Sequence, residues 1–190
     1  MFALTATAGD AEDIFQRMRD AVKIITDTYG TNKLRYSVIV YGTLSKTIFD
    51  FQPYFSTREG LKYVIERIQK ISGRPDTKAA LEEALRVIKD SGTRPTAKTV
   101  VVLISDGAVP VNPQEVEKSI EAIEKGGIPV VEFIVPDNAE AKEVADKVME
   151  KVLAGKSLNV VLSVALLTII LCPCCGINYD ALHLSLCIAW

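Results

Sequence analysis

The spacing of apolar residues predicts a chain in which helices and strands alternate. From Asp10, which is placed to cap a helix, to Tyr29, an apolar side chain recurs every three or four positions, as on one face of a helix. Residues 99–105 instead form a nearly unbroken apolar run, which indicates a strand that is buried on both faces. Strands of that kind belong to parallel sheets, so the pattern favours an α/β fold.

Ten elements follow from these patterns, in the order β-α-β-β-α-α-β-α-β-α. We expect a first strand at the N-terminus and further strands at residues 36–41, 46–51, 99–105 and 128–135. We expect the helices at residues 10–29, 56–71, 76–91, 113–125 and 137–152. Alternating elements imply right-handed crossovers and a mostly parallel sheet, whereas the short link at residues 42–45 implies one antiparallel edge hairpin. The predicted fold is therefore a doubly wound, Rossmann-like α/β domain.

Local signals predict where the helices begin and which side chains they bury. Ser56 and Glu59 match a capping box, and Asp76 is placed to cap the helix that follows. The apolar stripes of the first and third helices predict that Tyr29 and Leu85 face the core. These positions test whether helical spacing alone identifies a buried face.

Composition excludes several classes of function. Hydrophobic residues make up 48% of the 190 residues, which is ordinary for a globular protein. The formal net charge is -2 and the chain has no lysine- or arginine-rich run, so there is no electrostatic case for nucleic-acid binding. All four cysteines lie between Cys172 and Cys187, so no disulfide framework holds the body of the chain together.

The chain lacks the usual sequence signals of an enzyme. It has no dinucleotide-binding glycine pattern, and residues 42–47 only loosely echo a phosphate-binding loop, without its glycine before the lysine. No G-x-S-x-G motif occurs, and the single histidine, His183, lies near the C-terminus. Cys172, Cys174 and Cys175 are too crowded for structural zinc. We expect a non-enzymatic protein, with a hydrolase or nucleotide enzyme on a similar sheet as the alternative.

Five segments of the chain, taken in order, resemble the von Willebrand factor A domain. They are residues 2–9, 36–42, 72–81, 100–107 and 127–134. The resemblance covers roughly residues 1–155 and is to matrix and adhesion proteins of the collagen and matrilin kind. It implies a domain at residues 1–156, a protein-binding function in cell adhesion, and an extracellular or secreted location.

The family is known for a metal-ion-dependent adhesion site, whose first loop reads Asp-x-Ser-x-Ser. The matching positions here are Thr5, Thr7 and Gly9, so the carboxylate is lost, one hydroxyl is kept at Thr7, and another is lost to glycine. Magnesium prefers a near-octahedral set of hard oxygen ligands, usually with carboxylates among them. The resemblance therefore implies a degenerate metal site in this chain.

The family's other ligands come from a second and a third loop. The second-loop threonine falls on or near Pro75, with Thr77 two positions further on, and the third-loop aspartate is Asp106. Asp76 could supply a replacement oxygen only if its loop were shifted. We expect no cofactor and no bound metal; Mg²⁺ is the ion to test, and Thr7 and Asp106 are the residues that would hold it.

A structural role is an alternative for each of these residues. Aspartate before glycine at a strand end, as at Asp106, is an ordinary turn pair, and Thr5 and Thr7 can satisfy backbone donors in their loop. If the rim binds a ligand, the expected contacts are Thr5, Thr7, Asp76, Thr77 and Asp106. The expected partner is a protein, for example a matrix component. A structural spacer without a rim ligand and a membrane-anchored protein of this family stay open.

Residues 157–190 form an apolar, cysteine-containing tail. Residues 158–179 carry no charge and are long enough to span or contact a bilayer. Three interpretations stay open: the family's last strand at residues 158–164 followed by irregular chain, a C-terminal membrane anchor, and the aberrant end of a truncated or misread product. No secretory signal precedes the first strand, so we expect a truncated N-terminus or a fragment of a longer product.

Overall fold

The strands of the chain lie in a single sheet with helices beside it. In the computed structural model, the described residues are 1–6, 11–31, 34–51, 57–91 and 97–154. The strands are β1 Phe2–Thr5, β2 Val38–Tyr41, β3 Ser45–Phe49, β4 Val101–Ser105 and β5 Val130–Ile134. The helices are α1 Ala11–Tyr29, α2 Arg58–Ile65, α3 Thr77–Asp90, α4 Pro113–Lys125 and α5, residues 141–154. This is the order that the apolar pattern predicts.

The sheet is mostly parallel, and its strand order is β3-β2-β1-β4-β5. Strand β1 is parallel to both β2 and β4, β4 is parallel to β5, and β3 runs antiparallel beside β2. The short turn between β2 and β3 leaves no room for a crossover, so these two strands form a hairpin. The carboxyl ends of the four parallel strands open onto one edge of the sheet, where ligands bind in open α/β folds.

Helices cover both faces of the sheet, which confirms the doubly wound arrangement. On one face, Phe15 of α1 and Val144 of α5 pack in a core layer with Leu4. On the other face, Leu81 of α3 packs in a second layer with Ala3. Ala3 and Leu4 are consecutive in β1 and enter opposite layers, because successive side chains of a strand alternate between its faces.

Two side chains that were expected in the core are exposed, so those predictions are wrong. Tyr29 is 40% exposed and Leu85 is 39% exposed. Tyr29 is the last residue of α1, and Gly30 follows it at φ 65°, so the helix ends at the position that was expected to extend the buried stripe. In α3 the buried side chains include Ala84 and Val87. The core face is therefore rotated from the predicted stripe, and Leu85 lies on its flank.

Helix α2 is shorter than predicted at both ends. Its N-cap is Thr57, whose hydroxyl accepts a backbone hydrogen bond at 3.2 Å, and not Ser56, which lies outside the described residues. The helix ends at Ile65, because the amide of Ile68 donates to the carbonyl of Ile65 in a tighter, three-residue turn. Ile68 is nevertheless buried, so the apolar spacing beyond the helix reflects core contacts and not continued helix.

None of the helices in these five described stretches combines the length and the apolar character needed to cross a membrane. The apolar segment at residues 158–179 lies outside those stretches, as do Thr7, Gly9 and the expected cap Asp10. The predicted division between a domain at residues 1–156 and a tail at residues 157–190 stays a prediction.

Candidate functional site

A cleft of about 230 Å³ opens at the carboxyl edge of the sheet. Its lining includes four residues that carry hydroxyl groups, namely Thr5, Tyr41, Thr77 and Ser105. Thr5 and Ser105 are the last residues of β1 and β4 and are paired in register, Tyr41 ends β2, and Thr77 begins α3. The topology thus gathers hydroxyl groups at the edge where α/β sheets usually bind ligands.

An acidic side chain and an apolar rim complete the lining. Glu132 lies within β5, in the otherwise apolar run Val130–Ile134. Val109 and Ile134 contribute to the rim and are each 63% exposed. Exposed apolar side chains that are grouped beside a polar cleft are typical of surfaces that bind other proteins.

Thr5 is buried at the cleft with an unpaired hydroxyl. The residue is 1% exposed, and its Oγ1 has no hydrogen-bond partner in the part of the chain that the structure describes. Buried polar atoms in folded proteins are usually hydrogen bonded, so an unpaired hydroxyl that lines a cleft is a candidate contact for a ligand.

Tyr41 and Thr77 form a pair of neighbouring hydroxyl groups. Burial raises the pKa of Tyr41 to about 12, and the hydrogen bond between Tyr41 and Thr77 opposes that rise. The carboxylates of Glu132 and Asp106 add to the rise in pKa, because negative charge nearby disfavours the phenolate. Tyr41 is therefore protonated at neutral pH, and its hydroxyl can donate as well as accept a hydrogen bond.

Asp106 shapes the loop that follows β4. Its Oδ1 accepts a hydrogen bond from the amide of Ala108 at 3.1 Å, and Oγ of Ser105 accepts one from the amide of Gly107 at 3.3 Å. Gly107 has φ 81°, and a Cβ added there would lie 3.1 Å from Cγ2 of Ile134. These contacts support the structural interpretation of the Asp-Gly pair as a turn.

Asp76 is confirmed as the N-cap of α3. Its Oδ1 accepts a hydrogen bond from the amide of Ala79 at 3.0 Å, and its own amide donates to the carbonyl of Gly42 at 2.8 Å. The chain passes close to Gly42, where an added Cβ would collide with the carbonyl oxygen of Ile71. Asp76 thus fixes the start of α3 and places Thr77, the next residue, at the cleft.

The predicted rim residues fall into two groups. Thr5 and Thr77 line the cleft, whereas Asp76 and Asp106 hold the adjacent backbone through side-chain hydrogen bonds. Thr7 lies outside the described residues, so its role stays a prediction.

Three cleft residues with hydroxyl or carboxylate groups are missing from the sequence-based prediction: Tyr41, Ser105 and Glu132. The apolar rim residues Val109 and Ile134 are missing from it as well. Glu132 could have been identified from the sequence, because a single carboxylate inside an otherwise apolar strand is unusual. The sequence does not single out Tyr41 or Ser105, since a tyrosine or serine at the end of a buried strand is common. Only the strand order and register place them beside Thr5.

Among the described residues, the side-chain oxygen atoms at this edge come from hydroxyl groups, from Glu132 and from two aspartates that hold backbone amides. Magnesium prefers an octahedral set of hard oxygens that usually includes carboxylates. Over the described stretches of the chain, no group of three Asp, Glu, His or Cys side chains could hold a metal ion. Asp76 and Asp106 each accept a backbone hydrogen bond, and Thr5 presents a neutral hydroxyl where the family's first loop has a carboxylate.

The sequence model of the von Willebrand factor type A domain matches residues 5–164. The chain belongs to this family. The resemblance that the sequence motifs indicated is thereby confirmed, and so is the α/β sheet with one antiparallel pair. Von Willebrand factor A domains are typically protein-binding and adhesion modules, and they are generally non-enzymatic.

A curated relative is von Willebrand factor A domain-containing protein 1 of Danio rerio. It is 31% identical to this chain over 121 residues. The aligned part is 60% of this chain and 24% of the relative, so the chain spans about a quarter of that protein's length.

Solved structures of other proteins share the fold. Manganese-loaded TRAP of Plasmodium vivax is 12% identical with a TM-score of 0.60, covering 77% of this chain and 60% of that one. Proximal thread matrix protein 1 of the mussel byssus is 17% identical with a TM-score of 0.63, covering 78% of this chain and 45% of that one. Another structure of the mussel protein has a zinc-occupied adhesion site; it is 21% identical with a TM-score of 0.53, covering 69% and 34%. Identities this low show the shared fold alone.

Proposed function

We propose that this domain is a protein-binding module of the adhesion type found in the extracellular matrix, without enzymatic activity, and that it binds its partner without a divalent cation. The observation that carries the proposal is the cleft, where hydroxyl groups at the sheet edge lie beside an exposed apolar rim. Thr5 and Thr77 contact the partner, and Asp76 and Asp106 keep the surrounding loops in place. Thr7 is a further proposed contact.

The size and character of the cleft favour a protein partner over a small molecule. Ligand pockets for small molecules are usually about 300–1,000 Å³, and this cleft is smaller, at about 230 Å³. Val109 and Ile134 extend the apolar surface beyond the cleft itself. A partner protein can insert one side chain and cover these two residues at the same time, which is how interface anchors are arranged.

The chemistry of the donor atoms supports binding without a metal. A neutral hydroxyl at Thr5 cannot offset the charge of a divalent cation, and the two nearby aspartates accept backbone hydrogen bonds. The same hydroxyls can make direct hydrogen bonds to a partner, which need no ion.

The test is a binding assay of the full chain against a panel of purified extracellular-matrix proteins, in EDTA and in magnesium. We expect saturable binding to at least one of them, with equal affinity in both buffers. Replacing a rim residue by Ile134→Ser should weaken that binding by about ten-fold. Leu153→Ser removes an exposed leucine from α5 and is the matched control that should change nothing. Binding that is lost in EDTA would contradict the metal-independent proposal.

Two alternatives give different results, the first in this binding assay and the second in a lipid-flotation experiment. A structural spacer binds no panel member, and Ile134→Ser has no effect on it. A membrane-anchored form uses residues 158–179, and the full chain would then float with lipid vesicles on a density gradient. The proposed location is extracellular or secreted, which the family resemblance supports.

A further inference from the structure

We propose that the cleft recognises a cationic side chain, a lysine or an arginine, which the partner protein inserts between Thr5 and Glu132. The proposal rests on the protein-binding function proposed above and adds the chemistry of the residue that is bound. It assigns to Glu132 a role in specificity.

The oxygen atoms of the cleft suit a hydrogen-bond donor. Thr5 Oγ1 is buried without a partner among the described residues, and the hydroxyls of Tyr41, Thr77 and Ser105 line the same space. A lysine ammonium has three N–H donors and no acceptor, so it complements several oxygens at once. An arginine guanidinium offers five donors and meets the same requirement.

The charge of the cleft has the sign that attracts a cation. Glu132 is the charged member of the described lining, and Asp106 lies between two lining residues, Ser105 and Gly107. Both carboxylates contribute to the raised pKa of the Tyr41 hydroxyl, since negative charge near the phenol disfavours its deprotonated form.

Two described cations near the cleft contact other groups of the protein. The guanidinium of Arg74 donates to the carbonyl oxygens of Val109 and Pro110, at 3.4 and 3.1 Å. Lys78 pairs with carboxylates of Glu82 and Glu115, at 3.2 and 3.6 Å. Neither residue lines the cleft. Lys151 lies nearer, but its Nζ donates to the backbone carbonyl of Glu132 at 3.0 Å and lies 5.5 Å from the Phe133 ring centroid. Within the described stretches, the Glu132 carboxylate makes no ion pair and can accept a partner's cation.

The shape of the cleft also fits one long basic side chain. Leu103, Val116 and Pro75 are apolar members of the lining and can contact the methylene groups of a lysine or arginine stem. The charged end then reaches the hydroxyl groups. A glutamate would bring a second negative charge next to Glu132, and an apolar side chain of equal length would leave the Thr5 hydroxyl unpaired.

The proposal is tested with three small probes that differ only in their side chains. Nα-acetyl-lysine methylamide, its norleucine analogue and its glutamate analogue are each titrated into the ¹⁵N-labelled full chain, and amide shifts are followed by NMR. We expect the lysine probe alone to shift the amide signals of Ser105 and Gly107 in a saturable way. Glu132→Gln should weaken that binding by about five-fold, in keeping with the strength of an accessible ion pair. Glu150→Gln, which removes an exposed carboxylate on α5, should not weaken it.

Several results would overturn cation recognition. These are binding of the glutamate or norleucine probe as tightly as the lysine probe, an unchanged lysine affinity in Glu132→Gln, and no saturable shift with the lysine probe. The binding assay with the panel of matrix proteins tests the proposed function separately. A matrix protein that binds the Glu132→Gln chain as tightly as the unaltered chain would overturn this inference and leave the protein-binding function standing.

Discussion

Thr5 and Ser105 are paired neighbours at the ends of two parallel strands, β1 and β4, and both line the same cleft. The family resemblance aligns Thr5 with a carboxylate of the adhesion site, and we propose that a neutral hydroxyl stands here in place of that charge. The sheet around it keeps helical layers on both of its faces. The proposed change therefore concerns what the edge can bind and not how the chain folds.

The unpaired state of the Thr5 hydroxyl can be tested by measuring stability. Thr5→Val keeps the shape and removes an unsatisfied buried oxygen, so the free energy of unfolding should stay the same or rise by about 1 kcal/mol. Thr26→Val is the matched control, because the buried Thr26 hydroxyl donates to the carbonyl of Lys23 at 2.9 Å. That change should lower the free energy of unfolding by about 1 kcal/mol in urea denaturation. Equal losses in the two variants would show that Thr5 is hydrogen bonded.

The role of Asp76 as a helix cap predicts a loss of stability without it. Asp76→Ala should lower the free energy of unfolding by about 1 kcal/mol, because the amide of Ala79 loses its acceptor. Asn112→Ala is the control at the start of α4, where the side chain makes no capping hydrogen bond. We expect a clearly smaller effect there in thermal denaturation. Similar losses in both variants would contradict the capping role of Asp76.

The turn after β4 predicts a difference between two glycines that share φ 81°. Gly107→Ala should destabilise the domain by about 1–2 kcal/mol from backbone strain, and more from the close approach of Ile134. Gly127→Ala carries the same strain, but nothing lies within 4 Å of the added Cβ. The chemical denaturation midpoint should therefore fall further for Gly107→Ala. Equal falls in the midpoints of the two variants would mean that the Ile134 side chain moves aside without an energetic cost.

Alkaline pH should weaken the fold through its buried tyrosines. Burial raises the pKa of Tyr41 and of Tyr36 to about 12, whereas an unfolded tyrosine has a pKa of about 10. The unfolded state thus loses these protons first, so stability is unaffected below about pH 10 and falls between about pH 10 and pH 12. In urea denaturation across that range, Tyr41→Phe should reduce the fall. Tyr63→Phe, at an exposed position, should leave the fall as steep as in the unaltered chain.

Most of the fold could be predicted from the sequence, because its signals are local. The apolar run of β4 and the capping position of Asp76 depend on neighbouring residues alone, and both predictions are confirmed. The wrong predictions are those in which tertiary contacts, and not neighbouring residues, determine the structure. Ile68 keeps the helical spacing of α2 although the helix ends at Ile65, because the core and not the helix places it.

The candidate site was harder to predict. The family resemblance identified Thr5 and Thr77, and the structure brings both to the cleft. Ser105, Tyr41 and Glu132 belong to three other strands, so their meeting depends on strand order and register. No local pattern contains that information, which is why sequence reasoning missed them.

The most direct test of the central claim, that this domain keeps the family scaffold but not its ion site, is calorimetry of the full chain with manganese and with magnesium. The account predicts no binding heat for either ion with the unaltered chain. Thr5→Asp combined with Gly9→Ser restores the first-loop oxygens and provides a positive control for the assay. A clear heat at micromolar affinity with the unaltered chain would contradict the account.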